Sequence, residues 1–155
     1  MADQSVAAAL SPLGQRVRAF FEEQQTRICA ALEELDGSAR FGFDRWVRPG
    51  GGGGVTRVIQ DGTLFEKGGV NTSAVSGVLP ANLARSMGVT PAPFFATGVS
   101  LVLHPGSPMV PTVHANFRYF EQEGGDFWFG GGIDLSPYYV HEEDVTQFHR
   151  TLREA

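Results

Sequence analysis

The chain has 155 residues, of which 42% are apolar and 19% charged, and it carries a net charge of −5 with a mean hydropathy of −0.10. This length predicts one domain, and the composition excludes a disordered chain as well as a membrane protein, since no run approaches the roughly 18 apolar residues of a membrane span. The acidic balance argues against a protein that holds nucleic acid through its phosphates, and the single cysteine, Cys29, excludes an internal disulfide or a cysteine-rich zinc site.

The first predicted element is a long helix. It begins at Ser11 and Pro12, a typical N-cap and first helical residue, and it ends at Gly37, a typical residue just past a helix C-terminus. A short strand is predicted over 41–47. The five glycines at 50–54 lack the Lys-Ser/Thr of a phosphate-binding loop, so we predict that they form a plain loop.

The remaining predicted elements are strands and two helices. Asp61-Gly62 predicts a two-residue turn between strands at 55–60 and 63–67. Gly88 ends a short predicted helix over 80–87. Apolar spacing then predicts three strands and a last helix, at 96–104, 112–121, 126–136 and 142–153. Because short turns join these three strands, we expect an antiparallel meander.

Charged residues are nearly absent from the middle of the chain. Between Gly68 and Phe117, Arg85 is the only Asp, Glu, Lys or Arg. Such a stretch is typical of the middle of a sheet or the wall of a deep cleft. At the end, the chain stops two residues after Arg153 without a helix-ending residue, so we expect the sequence to end inside its domain. The first 25 residues match neither a secretory signal nor a transit peptide, and the expected location is the cytoplasm.

Side chains alternate across a strand, so the predicted meander has two different faces. One face is apolar and must pack against helices. The other collects polar and ionisable side chains around Gly130 and Gly132: Ser100, His104, His114, Asn116, Arg118 and Asp134. A guanidinium can clamp a carboxylate with two parallel hydrogen bonds, a carboxylate can accept from N–H groups, and a histidine can donate a proton near neutral pH. The two glycines would leave room for a flat, bulky ligand.

The same residues allow simpler interpretations. Arg118 and Asp134 could form an ordinary buried ion pair with no ligand, and the pattern alone does not choose between this pair and a binding site. His114 could be a structural histidine of the sheet. Ser100 could be bonded only to the backbone.

Five segments carry a resemblance to a known family. They are GGGGGVTRV at 50–58, FEKGGVN at 65–71, His104-Pro105, PTVHANFRYF at 111–120 and WFGGGIDLSPYY at 128–139. In this order they resemble the oxygen-dependent coproporphyrinogen III oxidases. The resemblance covers about residues 12 to 155 and corresponds to the N-terminal half of a family protein, so residues 1–155 are interpreted as the N-terminal portion of one such domain.

The resemblance implies a fold, a reaction and partners. The fold is α+β, a large antiparallel sheet flanked by helices on both sides, and the assembly is a homodimer. The reaction, in haem biosynthesis, is the oxidative decarboxylation of two propionates of coproporphyrinogen III to vinyl groups, which gives protoporphyrinogen IX. Dioxygen is the oxidant, and no organic cofactor is required.

The resemblance also implies roles for individual residues. His114 matches a proton donor, and Asp134 matches an acid that faces the macrocycle centre and accepts its pyrrole N–H groups. Substrate contacts correspond to Ser100, Asn116, Phe117 and Arg118, with Arg118 also in the catalytic set. Parts of the family use histidines that correspond to His104, His114 and His149 as ligands of a divalent metal.

Two other functions stay open at this point. The chain could be a non-catalytic porphyrin-binding or regulatory half-domain, or a truncated product that does not fold alone. Arg118 is the only Lys or Arg on the predicted polar face, whereas the substrate carries four carboxylates. The resemblance implies that the missing half contributes a further arginine.

Overall fold

Six strands form one antiparallel sheet in the computed structural model, which describes residues 10–155. The strands lie side by side in chain order, each paired with the next, so the meander predicted for the last three is confirmed and extends over all six. Together with three helices, this sheet confirms the α+β class. In chain order the elements are α1 (Pro12–Asp36), β1 (Gly42–Val47), β2 (Gly52–Gln60), β3 (Phe65–Val78), α2 (Ala81–Met87), β4 (Pro93–Pro105), β5 (Thr112–Gln122), β6 (Phe127–Ser136) and α3 (Glu142–Glu154).

Helix α1 has the predicted ends and covers one face of the sheet. The Ser11 side chain accepts a hydrogen bond from the backbone N–H of Gly14 at 2.9 Å, and Gly37 adopts the left-handed conformation with φ 77°. The helix packs across β3, β4 and β5. Its buried side chains and those of the strands form one core, which comprises Val17, Phe21, Cys29, Val70, Phe95, Val99 and Tyr119. Burial raises the pKa of the Cys29 thiol to about 11, which leaves it an unreactive packing residue.

A buried glutamine fixes α1 over the sheet. The Gln25 side-chain amide donates to the backbone carbonyls of Val55 in β2 and Val70 in β3, at 2.9 and 2.8 Å. Its oxygen accepts from the Thr72 hydroxyl at 3.2 Å. These bonds satisfy the whole amide inside the core, so they set the position of α1 along the strands as well as its contact with them.

The prediction for the glycine run and the strand after it was partly wrong. Gly52 to Gly54 begin β2 instead of lying in a loop, and the strand predicted at 63–67 is the start of β3, which continues to Val78. A Cβ on Gly53 would lie 2.3 Å from the Trp46 carbonyl oxygen, so a strand passes here only because side chains are absent. Residues 68–78 are mostly Gly, Ser, Asn and Ala, and they become a strand because β2 and β4 pair with both edges.

The carboxylate of Asp36 joins the end of α1 to the β2–β3 turn. It accepts backbone N–H groups of Ala39, Leu64 and Phe65 at 2.9, 2.9 and 3.0 Å, and the Ser38 hydroxyl at 2.8 Å. The backbone hydrogen bonds from Ala39 and Phe65 are the largest influences that hold the pKa of this buried carboxyl far below its ordinary value. Asp36 therefore stabilises the fold as an anion.

We expect Asp36→Asn to lower the melting temperature by roughly 5–10 °C at neutral pH, because an amide cannot offer two anionic oxygens to these donors. The folded-state pKa is depressed, so the stabilisation is present above the unfolded pKa of about 3.9 and is lost as the pH falls below it. Thermal melts between pH 3 and pH 8 should therefore show a constant gap between the two proteins above about pH 5 that narrows below pH 4. Asp126→Asn, a change at an exposed turn, is the control and should leave the melting curve unmoved. A gap that widens in acid would contradict this role.

The face of the sheet opposite α1 carries the candidate site. A broad cavity on that face is lined by residues of all six strands and by no residue of α1, α2 or α3. None of the three helices in residues 10–155 is long and apolar enough to cross a membrane.

Candidate functional site

The strand register brings five of the predicted site residues onto one face. Ser100 in β4 is paired with Asn116 in β5, and Asn116 with Gly132 in β6. Two residues after Asn116 in β5, Arg118 lies between Gly98 of β4 and Gly130 of β6. Two residues before Asn116, His114 is paired with Asp134 of β6. Because residues directly opposite share a face, Ser100, His114, Asn116, Arg118 and Asp134 all point away from α1.

His114 and Asp134 are joined by a hydrogen bond. The imidazole Nδ1 lies 3.1 Å from Asp134 Oδ2, and both side chains are about half exposed, at 47% and 56%. This bond orients the ring and leaves Nε2 free. The carboxylate retains capacity as well, because its two oxygens offer about four lone-pair positions and the imidazole uses one. The pair is thus accessible to a ligand from the open face of the sheet.

Arg118 has no carboxylate partner within residues 10–155. Asp134 is bonded to His114 instead, so the simple ion pair between Arg118 and Asp134 is not formed. The stem of Arg118 lies over Gly98, where an added Cβ would come within 3.3 Å of Arg118 Cγ. Glycine lies on both neighbouring strands and residues 10–155 offer no carboxylate partner, so the guanidinium is available to an anionic ligand.

A cavity of about 840 Å³ lies over this part of the sheet. Trp46 forms one side, and its indole ring lies over Gly54, where a Cβ would be 2.5 Å from a ring carbon. On the other side Phe120 and Trp128 stack with ring centroids 4.4 Å apart. Glycines, serines and small side chains form the floor, which Ser100 and Arg118 share. Its shape suits a broad ligand with flat rings, as the glycines of the sequence had indicated.

Most residues that line the cavity were not predicted as site residues, and Trp46 and Asn71 are two of them. Trp46 lies in the predicted first strand, but its distance from the meander could not be judged without the strands between them. Asn71 lies in the part of β3 that the sequence did not predict as a strand. The alternation of apolar and polar residues at Val70, Asn71 and Thr72 was the only indication of a strand at Asn71, and three residues are too few to predict one.

The structure does not bring Phe117 into this site. Phe117 is paired with Val99 and Gly131 on the face of α1, since it lies between Asn116 and Arg118 in the period-two alternation. Its side chain is half exposed and borders a groove beside α1 together with Phe20 and Phe129. The Phe117 side chain therefore does not lie on the face that carries the candidate site, contrary to its prediction as a substrate contact.

The three predicted metal-ligating histidines are not brought together. His104 lies near the end of β4 and His114 near the start of β5, on the same face, whereas His149 lies in α3. In the part of the chain that the structure describes, no three His, Cys, Asp or Glu side chains converge as a metal site would require. The residues present do not fit a metal ion by themselves, and we derive no step through one.

Comparison with known proteins adds a family to this geometry. A family model described as coproporphyrinogen III oxidase matches residues 16–155. The chain is 49% identical over 158 aligned positions to the chloroplastic oxygen-dependent coproporphyrinogen-III oxidase of Glycine max, an alignment that covers 90% of this chain and 41% of the relative. Identity is 51% to the Synechococcus sp. (strain CC9902) oxygen-dependent coproporphyrinogen-III oxidase, over 90% of this chain and 39% of the relative. The chain is also 51% identical to the mitochondrial oxygen-dependent coproporphyrinogen-III oxidase of Rattus norvegicus, in an alignment that covers 86% of this chain and 33% of the relative.

The sequence thus spans between one third and about two fifths of the length of these relatives. The family match begins inside α1 and includes every later element up to α3. What a complete protein of this kind binds and converts is therefore inferred from the part of the site that this chain supplies.

Proposed function

This chain belongs to the coproporphyrinogen III oxidase family, and we propose that its sheet face supplies part of the site for oxidative decarboxylation of coproporphyrinogen III to protoporphyrinogen IX in haem biosynthesis. Dioxygen is the oxidant, as the names of the relatives indicate. One observation carries the proposal: an arginine without a carboxylate partner in residues 10–155 lies on the floor of a broad cavity, and a hydrogen-bonded histidine and aspartate lie on the same face of the sheet, four residues away along β5. The residues are Arg118, His114 and Asp134.

Arg118 is proposed to bind a propionate of the substrate. A guanidinium forms two parallel hydrogen bonds with a carboxylate, and these charge-assisted bonds are stronger than neutral ones. Since the chain is acidic overall, this local cation has to offset the net charge of −5. Ser100, on the same floor, and Asn116, its partner on the same face of the sheet, add neutral hydrogen-bonding groups.

Asp134 is proposed to accept pyrrole N–H groups. Its carboxylate has lone pairs left after the bond to His114, and pyrrole N–H groups are donors without acceptor capacity. A carboxylate beside the pyrrole nitrogen stabilises positive charge that develops on the ring as it gives up electrons. The macrocycle itself then reduces dioxygen, so the proposed reaction requires no organic cofactor.

The stoichiometry of the reaction requires one proton from a donor other than the propionate side chain. For each propionate, one C–H bond and the bond to the carboxylate break, a C=C bond forms, and CO₂ leaves. Dioxygen takes up two electrons and two protons and leaves as hydrogen peroxide. One of these protons comes from the broken C–H bond, and the other must be supplied. We propose that His114 delivers it, with Asp134 holding the imidazole ring in position through their hydrogen bond.

Replacement of Arg118 tests the binding part of the proposal. In the full-length protein that carries this sequence, Arg118→Gln should raise KM for coproporphyrinogen III by about 10- to 100-fold, the loss expected for hydrogen bonds to a charged group. The KM of Arg118→Lys should lie between those of the wild type and Arg118→Gln, because lysine keeps the positive charge but cannot form two parallel hydrogen bonds with a carboxylate. The tetramethyl ester of the substrate, tested as a competitive inhibitor, is the control: its inhibition constant should not respond to either change. If the affinities for the substrate and for its ester fell equally, Arg118 would affect binding through the structure of the site and not through contact with a carboxylate.

Assembly and location follow as proposals from the family. We propose a homodimer as the assembly and the cytoplasm as the location. The first rests on the resemblance, and the second on the single cysteine, which agrees with a reducing compartment. The relatives include chloroplastic and mitochondrial proteins as well as one from Synechococcus, so an organelle is the alternative location.

A further inference from the structure

We propose that Gly130 and Gly132 of β6 form the surface on which one pyrrole ring of the substrate rests, and that they set the height of this ring above the sheet. This inference rests on the proposed function and adds to its site two residues that act through their lack of a side chain. Gly130 lines the same cavity as Arg118. Both glycines are exposed, on the face of the sheet that carries the candidate site.

The backbone conformation does not require glycine at either position. Both residues lie inside a regular strand, and neither adopts the positive φ that glycine alone takes without strain. Glycine stabilises a strand less than alanine does, because it loses more conformational freedom on folding and has no side chain to pack. Gly130 and Gly132 therefore weaken β6 without any gain in backbone geometry.

Packing inside the described part of the chain does not require glycine there either. Within residues 10–155, no heavy atom of a non-adjacent residue lies within 4 Å of a Cβ built on Gly130 or Gly132. Gly131 and Gly98 differ, since a Cβ on them would lie 2.3 and 2.6 Å from carbonyl oxygens of β5. The sheet thus explains Gly131 and Gly98, whereas the space above Gly130 and Gly132 is left open for a ligand.

The strand register places the two glycines between the groups that are proposed to hold one pyrrole ring. Gly130 is paired with Arg118, and Asp134 follows two residues after Gly132. At about 3.4 Å per residue, Gly130 and Asp134 lie roughly 14 Å apart along the strand. A pyrrole ring carries its N–H on the inner side of the macrocycle and its propionate on the outer side. With the N–H at Asp134 and the propionate at Arg118, the ring lies over the backbone of both glycines.

A methyl group at Gly132 would occupy the space of this ring. Ring carbons in contact with the strand lie about 3.5–4 Å from its backbone atoms, which leaves no room for a Cβ between them. The methyl group would therefore move the ring away from the sheet and from Asp134. A displacement of about 1 Å within a site can lower the rate by about 100-fold.

The test compares Gly132→Ala with the wild type in the full-length protein that carries this sequence. We expect kcat/KM for coproporphyrinogen III to fall by about 10- to 100-fold. The melting temperature should be unchanged or about 1–3 °C higher, because alanine fits a strand and restricts the unfolded chain. Gly42→Ala is the matched control: Gly42 lies in β1, the other outermost strand of the six, and a Cβ there would meet only the Val58 carbonyl oxygen, at 3.9 Å. Its kcat/KM should stay within about twofold of the wild-type value.

Loss of activity without loss of stability is the expected result, since a residue needed only for the fold would lose both. A kcat/KM of Gly132→Ala within about twofold of the wild type would show that no substrate ring rests on this strand. A melting temperature lower by more than about 5 °C, whatever the activity, would show that Gly132 packs against chain outside residues 10–155. Either result overturns the inference and leaves the proposed function standing. If the wild type itself converts no coproporphyrinogen III, the proposed function fails, and this inference falls with it.

Discussion

Asp134→Asn should lower the turnover of coproporphyrinogen III by ~10²–10⁴-fold in the full-length protein, the usual loss when a group that handles protons is removed. The change keeps the size of the side chain and removes its charge. An amide also places an NH₂ group where the carboxylate accepts pyrrole N–H, so donors face each other. The melting temperature should move little, because Asp134 is 56% exposed and its one side-chain hydrogen bond, at 3.1 Å, goes to His114.

Steady-state kinetics and thermal melts on the same preparation provide the check. Asp126→Asn makes the same chemical change at an exposed residue just before β6 and should turn over substrate as the wild type does. Conversion at nearly the wild-type rate by Asp134→Asn would contradict the role given to this carboxylate. A large loss of stability together with normal turnover per folded molecule would make it a structural residue.

His114→Ala should reduce kcat by a similar factor, ~10²–10⁴, and leave substrate affinity nearly unchanged. The imidazole supplies a proton that the balance of the reaction requires, and water is a poorer substitute at a fixed position. Since the ring is about half exposed and is not part of the core, its removal should lower the melting temperature by only a few degrees.

A pH series distinguishes catalysis from structure. The limb of the kcat profile that reports the proton donor should be present in the wild type and missing from His114→Ala. Addition of imidazole to the variant should restore part of the rate. If His114→Ala unfolds the protein while the remaining folded fraction turns over normally, the alternative of a structural histidine is correct.

The polar face was predictable because β4, β5 and β6 alternate clearly and short turns join them. Once these strands form a meander, Asn116 and Arg118 share a face whatever the exact register. The register itself was not predictable, and it decides which groups bond. It places His114 directly opposite Asp134, so the aspartate binds the histidine and leaves Arg118 without a carboxylate partner in the described part of the chain.

The other half of the cavity could not be predicted from local patterns. Residues 68–78 have a composition typical of a loop, and only pairing with β2 and β4 makes them a strand. Gly52 to Gly54 were predicted in a loop for the same reason, although their missing side chains are what lets β1, β2 and β3 approach and Trp46 lie over the strand. Both features depend on contacts between distant parts of the chain. Asn71 could therefore be placed in the cavity only once these strand pairings were known.

Product analysis tests the central claim most directly. The full-length protein that carries this sequence is incubated with coproporphyrinogen III in air and under argon, and the porphyrins are separated by chromatography after oxidation. We expect a product with two vinyl groups in air, together with hydrogen peroxide and CO₂ in equal amounts. We expect no product under argon, and product formation with Asp134→Asn that is ~10²–10⁴-fold slower. Conversion that is independent of dioxygen, or recovery of unchanged coproporphyrin from a folded wild-type protein, would contradict the account.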